Sequence, residues 1–201
     1  WTGKAGYPLL ALSQKNNVLK VEQARFFASP ISKGTTKDKT VWPTPLNIQD
    51  KTSTKKLMFN TKKIEIEHGS NEWIKLNAGE IGVFRTNYTP KLWIALAHAV
   101  ECGELSLRDR LGLVRDVFDL AYAGELSAVQ ALDFVPAYKN ETNYAVWGEI
   151  LSGLNRVYRL IERDACAPLF RQYTLGILEP MVEKVGWSKK ETDEHIDILL
   201  R

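Results

Sequence analysis

The spacing of apolar residues changes at Thr89-Pro90, and a chain patterned in this way cannot be all helix or all strand. Upstream, Ile64 to Glu67 and Trp73 to Leu76 alternate strictly between apolar and polar, which gives a strand one dry and one wet face. Val18 to Gln23, Ala24 to Ala28, Val41-Trp42, Lys56 to Phe59 and Val83 to Thr86 read as further strands. Turn residues separate them at Ser32-Lys33-Gly34, Asn47 to Asp50, His68 to Asn71 and Ala78-Gly79-Glu80. Short strands punctuated in this way predict an antiparallel β-sandwich over residues 1–89.

Downstream the period is helical. Thr89 is a good N-cap and Pro90 is tolerated at the first helical position, so a helix starts there. Leu92, Trp93, Leu96, Ala99 and Val100 form its apolar stripe. Ser106 with Asp109 resembles a capping box and opens a helix carrying Leu107, Leu111, Val114, Phe118 and Ala121, which Gly124 stops. Ser127 with Gln130 and Ser188 with Glu191 open others, and Gly186 ends a helix between them. Helix pairs begin near residues 91, 127 and 167, a spacing close to that of helical solenoids. The predicted fold class is α+β in two segregated parts: the sandwich over 1–89, then helical hairpins of the HEAT or armadillo kind over 90–201.

Composition narrows the class further. The 201 residues are 44% hydrophobic and 25% charged, an ordinary globular balance. No run approaches the roughly 20 apolar residues of a membrane span, so no membrane partner is expected. The opening Trp1-Thr2-Gly3 is neither an initiator Met nor a signal peptide, and the chain reads as a piece of a longer protein. The net charge of +3 divides into +7 over residues 1–89 and −4 over 90–201, as two units of different partnership would. Cys102 and Cys166 are too few for a disulfide framework and fit a reducing compartment as buried structural thiols. The sequons Asn87-Tyr88-Thr89 and Asn140-Glu141-Thr142 would matter only in a secreted chain.

Catalytic machinery is not legible. His68, His98 and His195 stand outside any H-E-x-x-H pattern, and a catalytic zinc needs about three converging protein ligands. His98 and Cys102 share a helix face at i and i+4, but a packed thiol beside a surface imidazole is the preferred reading. Gly79-Glu80-Ile81-Gly82 lacks the Lys-Ser/Thr ending of a phosphate loop and reads as hairpin geometry. Lys33, Lys37, Lys39, Lys51, Lys55, Lys56, Lys62 and Lys63 read as solvated residues on loops and strand edges. No nucleic-acid partner is expected from them.

Several ordered segments carry a family resemblance. Gln23-Ala24-Arg25-Phe26, Trp42-Pro43-Thr44-Pro45-Leu46, Trp73-Ile74-Lys75-Leu76-Asn77 and Gly82 to Tyr88 come first. Asp109-Arg110-Leu111-Gly112-Leu113, Asp116-Val117-Phe118, Asn143 to Trp147 and Gly186-Trp187 follow. In this order they resemble the region after the catalytic domain in zinc aminopeptidases of the H-E-x-x-H type, nearest the cytosolic puromycin-sensitive branch. The resemblance implies a sandwich and the start of a C-terminal superhelix, with the zinc ligands and the other catalytic residues upstream. It therefore implies no catalytic, metal or cofactor residue in these positions, with zinc belonging to the parent enzyme. It singles out Trp73, Lys75, Asn77, Arg85, Asn87, Tyr88, Asp109 and Arg110 as structural or interdomain residues. Arg85 is expected to pair with an acidic residue across the domain junction, the alternative reading being substrate contact.

One function is expected, and two others compete with it. The first is a non-catalytic piece of a cytoplasmic zinc aminopeptidase, itself inactive, which spaces and covers the active site and gates peptide substrates. Its partner would be the catalytic domain of its own chain. The second is a free-standing protein-interaction module using the helical array, and the third a nucleic-acid binder using the lysines.

Overall fold

The computed structural model describes residues 3, 5–33, 39–67, 72–188, 193 and 195–200. The predicted turn at His68 to Asn71, together with Lys37 and Glu191, lies outside them. The fold is α+β. Strands β1 (Pro8–Lys15), β2 (Val18–Arg25), β3 (Thr44–Gln49), β4 (Thr54–Phe59), β5 (Lys63–Glu67) and β6 (Arg85–Tyr88) precede most of the helices, with the one-turn α1 (Pro30–Lys33) among them. Then come α2 (Pro90–Glu101), α3 (Leu107–Tyr122), α4 (Ala128–Phe134), α5 (Tyr144–Ile161), α6 (Ala167–Val185) and α7 (His195–Leu200).

The strands form a four-stranded sheet in the order β5-β2-β1-β6 and a hairpin of β3 and β4. β1 and β2 run antiparallel from Pro8↔Arg25 to Lys15↔Val18, but β6 lies parallel to β1, pairing Leu9↔Arg85 through Leu12↔Tyr88. The expectation of a wholly antiparallel arrangement is corrected here: β6 returns to the sheet only after a long crossover, as a parallel pairing requires. β1 itself lies outside the strands read from the pattern. It is a central strand, and its Leu9-Leu10-Ala11-Leu12 run is apolar without alternation.

Trp73 to Leu76, predicted as a strand, is an extended segment with a single bridge, Gln49↔Lys75, and all four residues are buried. Ala78-Gly79-Glu80 is a 3₁₀ turn rather than a hairpin, with φ of 75° at Gly79 and 55° at Glu80. The Asn77 side chain closes this loop by accepting from Gly82 N and donating to Gly82 O, each at 2.9 Å.

The chain divides into two compact units, Trp1–Phe134 and Val135–Arg201. Strands give way to helices between Tyr88 and Pro90, where the sequence period changes, yet the first unit continues through α2, α3 and α4. Its core contains Leu10, Leu19, Trp42, Phe59, Ile74, Leu76 and Leu96. Gln23 stays buried because it donates to Trp42 O and Thr61 O and accepts from Trp42 N. In the second unit, Asn143 caps α5 by accepting from Ala145 N, and Trp147 donates to Glu141 O at 3.1 Å.

Candidate functional site

The charged residues of the first unit converge at one buried place. Its origin is a stripe on α3. Asp109, Gly112, Asp116 and Asp119 follow one another at three, four and three positions, so one face of the helix is acidic. Ser106 sets that face by capping α3. Its hydroxyl accepts from Asp109 N at 3.3 Å and donates to Asp109 Oδ2 at 2.5 Å. The Asp109 carboxylate therefore serves the strand part instead of returning to the cap's own N–H, as it would in a full capping box. Its Oδ1 accepts from Gly79 N at 2.7 Å.

Two cations oppose the stripe. Lys75 is fully buried, its ammonium bonded to Glu80 Oε1, 3.2 Å from Asn77 O and 3.9 Å from Asp109 Oδ1. Burial alone would lower its pKa, but the charges of Tyr88, Glu80 and Asp116 hold it above the ordinary lysine value. Arg85 opens β6 and donates through Nε to Asp119 Oδ2 at 3.0 Å, while its Nη2 lies 2.8 Å from the same oxygen. Its Nη1 stands 3.6 Å from Asp116 Oδ1. The Tyr7 ring lies 5.8 Å from the guanidinium carbon.

Asp116 is 3% exposed and accepts from Thr86 N at 3.1 Å through Oδ2. Burial, opposed by Lys75 and Arg85 and reinforced by Glu80, pushes its carboxyl up from 3.8 to about 7. Tyr88 is buried beside it and accepts from Leu76 N at 3.1 Å; burial drives its phenol up to about 12. Gly112 fits because a Cβ there would meet the Glu80 carboxylate.

The sequence-predicted residues separate into three groups. Lys75, Asn77, Arg85, Tyr88 and Asp109 come together in this joint. Trp73 and Asn87 tie other loops to it: Trp73 Nε1 donates to Glu104 Oε2 at 2.5 Å and Asn87 Nδ2 to Glu125 O at 2.9 Å. Arg110 lies apart and donates to Leu105 O at 2.9 Å. Sequence reasoning did not place Glu80, Asp116 and Asp119 here. The signal available for the aspartates was their helical spacing, set against Lys75 and Arg85, the two cations between Trp73 and Thr89.

The joint holds charges and presents no nucleophile. Among the described residues no three His, Cys, Asp or Glu side chains are grouped to hold a metal ion. His98 and Cys102 do approach, Cys102 Sγ lying 3.7 Å from a ring nitrogen, but both are exposed, His98 on α2 and Cys102 at its C-cap. Zinc, which the family resemblance assigns to the parent, does not fit these side chains. Both thiols are exposed, which corrects the expectation of buried cysteines: Cys102 follows α2 and Cys166 precedes α6, at helix ends rather than on core faces. In the second unit, Leu151, Leu154, Tyr158, Phe170 and Leu175 line an apolar groove of about 410 Å³ between α5 and α6.

The ERAP1-like C-terminal domain family matches residues 73–201. The chain belongs to this family. The ERAP1-like C-terminal domain thus starts at Trp73, ahead of the change of period, and contains the entire charged joint from Lys75 to Asp119. Over the whole chain there is 29% identity across 213 residues to Aminopeptidase M1-A of Oryza sativa subsp. japonica, covering 24% of that protein. Aminopeptidase 2 of Candida albicans is 30% identical over 209 residues, with 22% of its length covered. Glutamyl aminopeptidase of Bitis rhinoceros is 28% identical over 214 residues, again with 22% covered. The chain spans less than a quarter of the length of these relatives.

Proposed function

We propose that this chain is a non-catalytic portion of a zinc metallo-aminopeptidase of the H-E-x-x-H type, following the zinc domain and comprising the sandwich and the start of the C-terminal superhelix. The observation that carries the reading is the family match over residues 73–201, together with whole-chain similarity to aminopeptidases. The strand part would act as a spacer and the HEAT- or armadillo-like helices as a cover that limits which peptides reach the zinc and keeps bulk water out. A spacer must be stiff, and the joint of Lys75, Arg85 and the α3 aspartates supports that role by fastening β6 and its preceding loop to α3.

Its partners in this reading are the catalytic domain of the same chain and the peptide substrates, not nucleic acid or a membrane. Lys20, Lys51 and Lys63 are paired with Glu65, Glu104 and Glu22, which leaves less positive charge for phosphates. Among the described residues no helix is long and apolar enough to cross a membrane. Two exposed, unpaired thiols favour a reducing, cytoplasmic compartment.

Hydrolysis of aminoacyl-amidocoumarins tests the proposal. With zinc added, this chain alone should give no turnover above buffer, whereas the whole protein that contains it should turn over. In that whole protein, Arg85→Ala should change the preference between short and long peptides more than the rate on aminoacyl amides. Turnover by the isolated chain, or a whole protein without aminopeptidase activity, would overturn the reading.

A further inference from the structure

We infer that Asp116 is a proton-operated latch of the joint between β6 and α3: neutral, it is accommodated there, and ionised, it loosens the joint as the solution turns alkaline. The inference concerns the joint alone and stands apart from the activity proposed above.

The argument begins with a charge count. Two cations, Lys75 and Arg85, face four carboxylates, Glu80, Asp109, Asp116 and Asp119. A cluster with more anions than cations, largely removed from water, is relieved by taking up a proton. The hydrogen bonds show where that proton goes. Asp109 receives Gly79 N–H on one oxygen and the Ser106 hydroxyl on the other. Asp119 receives the Arg85 guanidinium, and Glu80 receives the Lys75 ammonium. Asp116 Oδ2 receives Thr86 N–H, but the buried Oδ1 has no hydrogen-bond partner among the described residues. The Arg85 Nη1 nearest to it stands at 3.6 Å, beyond hydrogen-bond distance, while Nε and Nη2 of the same guanidinium are held by Asp119 Oδ2. A proton from solvent on Oδ1 removes a buried charge that the nearby cations offset only in part and that no hydrogen bond meets on that oxygen.

The groups that face this carboxyl come from several elements. Lys75 comes from the segment after β5, Glu80 from the 3₁₀ turn, Arg85 and Tyr88 from β6, and Tyr7 from the residues before β1. Asp109 and Asp119 lie on its own helix. Lys75 and Arg85 favour the ionised form and Glu80 opposes it, while burial outweighs them and moves the carboxyl up to about 7. The transition therefore falls near neutral pH, within reach of a compartment's ordinary variation.

The sign follows from linkage. The folded value lies above the ordinary aspartate value of 3.8, so the stabilisation is complete below 3.8 and is lost as pH rises through about 7. The test is thermal unfolding of this chain and of Asp116→Asn, a neutral isostere of the protonated side chain, between about pH 5.5 and 8.5. The melting temperature of the variant, measured against the parent, should rise by about 3–6 °C across that range. Parallel curves would overturn the inference. Carbon-13 NMR of the Asp116 carboxyl in the unaltered chain gives a second readout that does not depend on the variant folding. A midpoint near neutrality supports the latch, and titration completed below about pH 5 sinks it.

Discussion

Trp73 Nε1 donates to Glu104 Oε2 at 2.5 Å, joining the first residue of the family match to the loop between α2 and α3. Lys51 Nζ lies 3.2 Å from the other oxygen of the same carboxylate. The Trp73 N–H, then Lys51, hold Glu104 below its ordinary value of 4.5. A carboxyl lowered in this way stabilises the fold above its unfolded value and loses that contribution as pH falls through the folded one. Trp73→Phe keeps most of the ring and removes the donor. It should cost about 1 kcal/mol at neutral pH by urea unfolding, and the deficit should vanish in acid below 4.5. A deficit independent of pH would assign the loss to packing instead.

Lys75 is the cation whose loss the joint tolerates least. Lys75→Met keeps the length of the side chain but leaves Glu80 and the buried Asp109 facing one another without their shared ammonium. Removing one partner of a buried ion pair is far costlier than the net worth of the pair, because the remaining charge is stranded. Destabilisation of about 3 kcal/mol is expected, toward the lower end of the usual cost because Glu80 retains some exposure. Chemical denaturation measures it, and a loss below about 1 kcal/mol would mean that the carboxylates find water.

The thiols give a direct chemical check. Cys102 and Cys166 are both exposed at helix ends, so both should react completely with a small disulfide reagent in the native chain. Reaction of either only after denaturant is added would contradict the exposure of that residue.

The division into strand and helix was legible because period two and period 3.6 place apolar residues differently, and Ser106, Ser127, Gly124 and Gly186 mark helix ends by local hydrogen bonding. Ser127 and Gln130 bond reciprocally, at 3.1 and 3.4 Å, as their spacing suggested. The same rules misread Trp73 to Leu76, where alternation predicted a wet face for Lys75. A lysine can be buried when a carboxylate from elsewhere meets it, and that meeting is invisible within one strand-length window. β1 was missed because Leu9-Leu10-Ala11-Leu12 is apolar throughout: Ala11 sits on the exposed face with Ser13 and Lys15, and an apolar residue there hides the alternation. On α3, attention to Leu107, Leu111 and Phe118 found an apolar stripe, but Leu107 is exposed, and the face turned to the strands is the acidic one. Hydrophobic periodicity cannot find a buried face made of aspartates and a glycine.

Gly112 tests that acidic face most sharply. It lies in the middle of α3 between Asp109 and Asp116, where alanine would ordinarily favour the helix by about 1 kcal/mol. A Cβ there would come within 2.1 Å of the Glu80 carboxylate. The colliding atoms are the far end of a flexible side chain, so the backbone has no need to move. What is lost is the Glu80–Lys75 bond, and the buried ammonium is left with Asn77 O and the more distant Asp109. Gly112→Ala should therefore destabilise by about 1–2 kcal/mol despite its better helix propensity. In a Glu80→Gln background, where the ion pair is already broken, the same substitution should cost much less. A double-mutant cycle by urea unfolding should give a coupling of at least about 1 kcal/mol between positions 80 and 112. Additive losses would show that the space above Gly112 is needed by something other than Glu80.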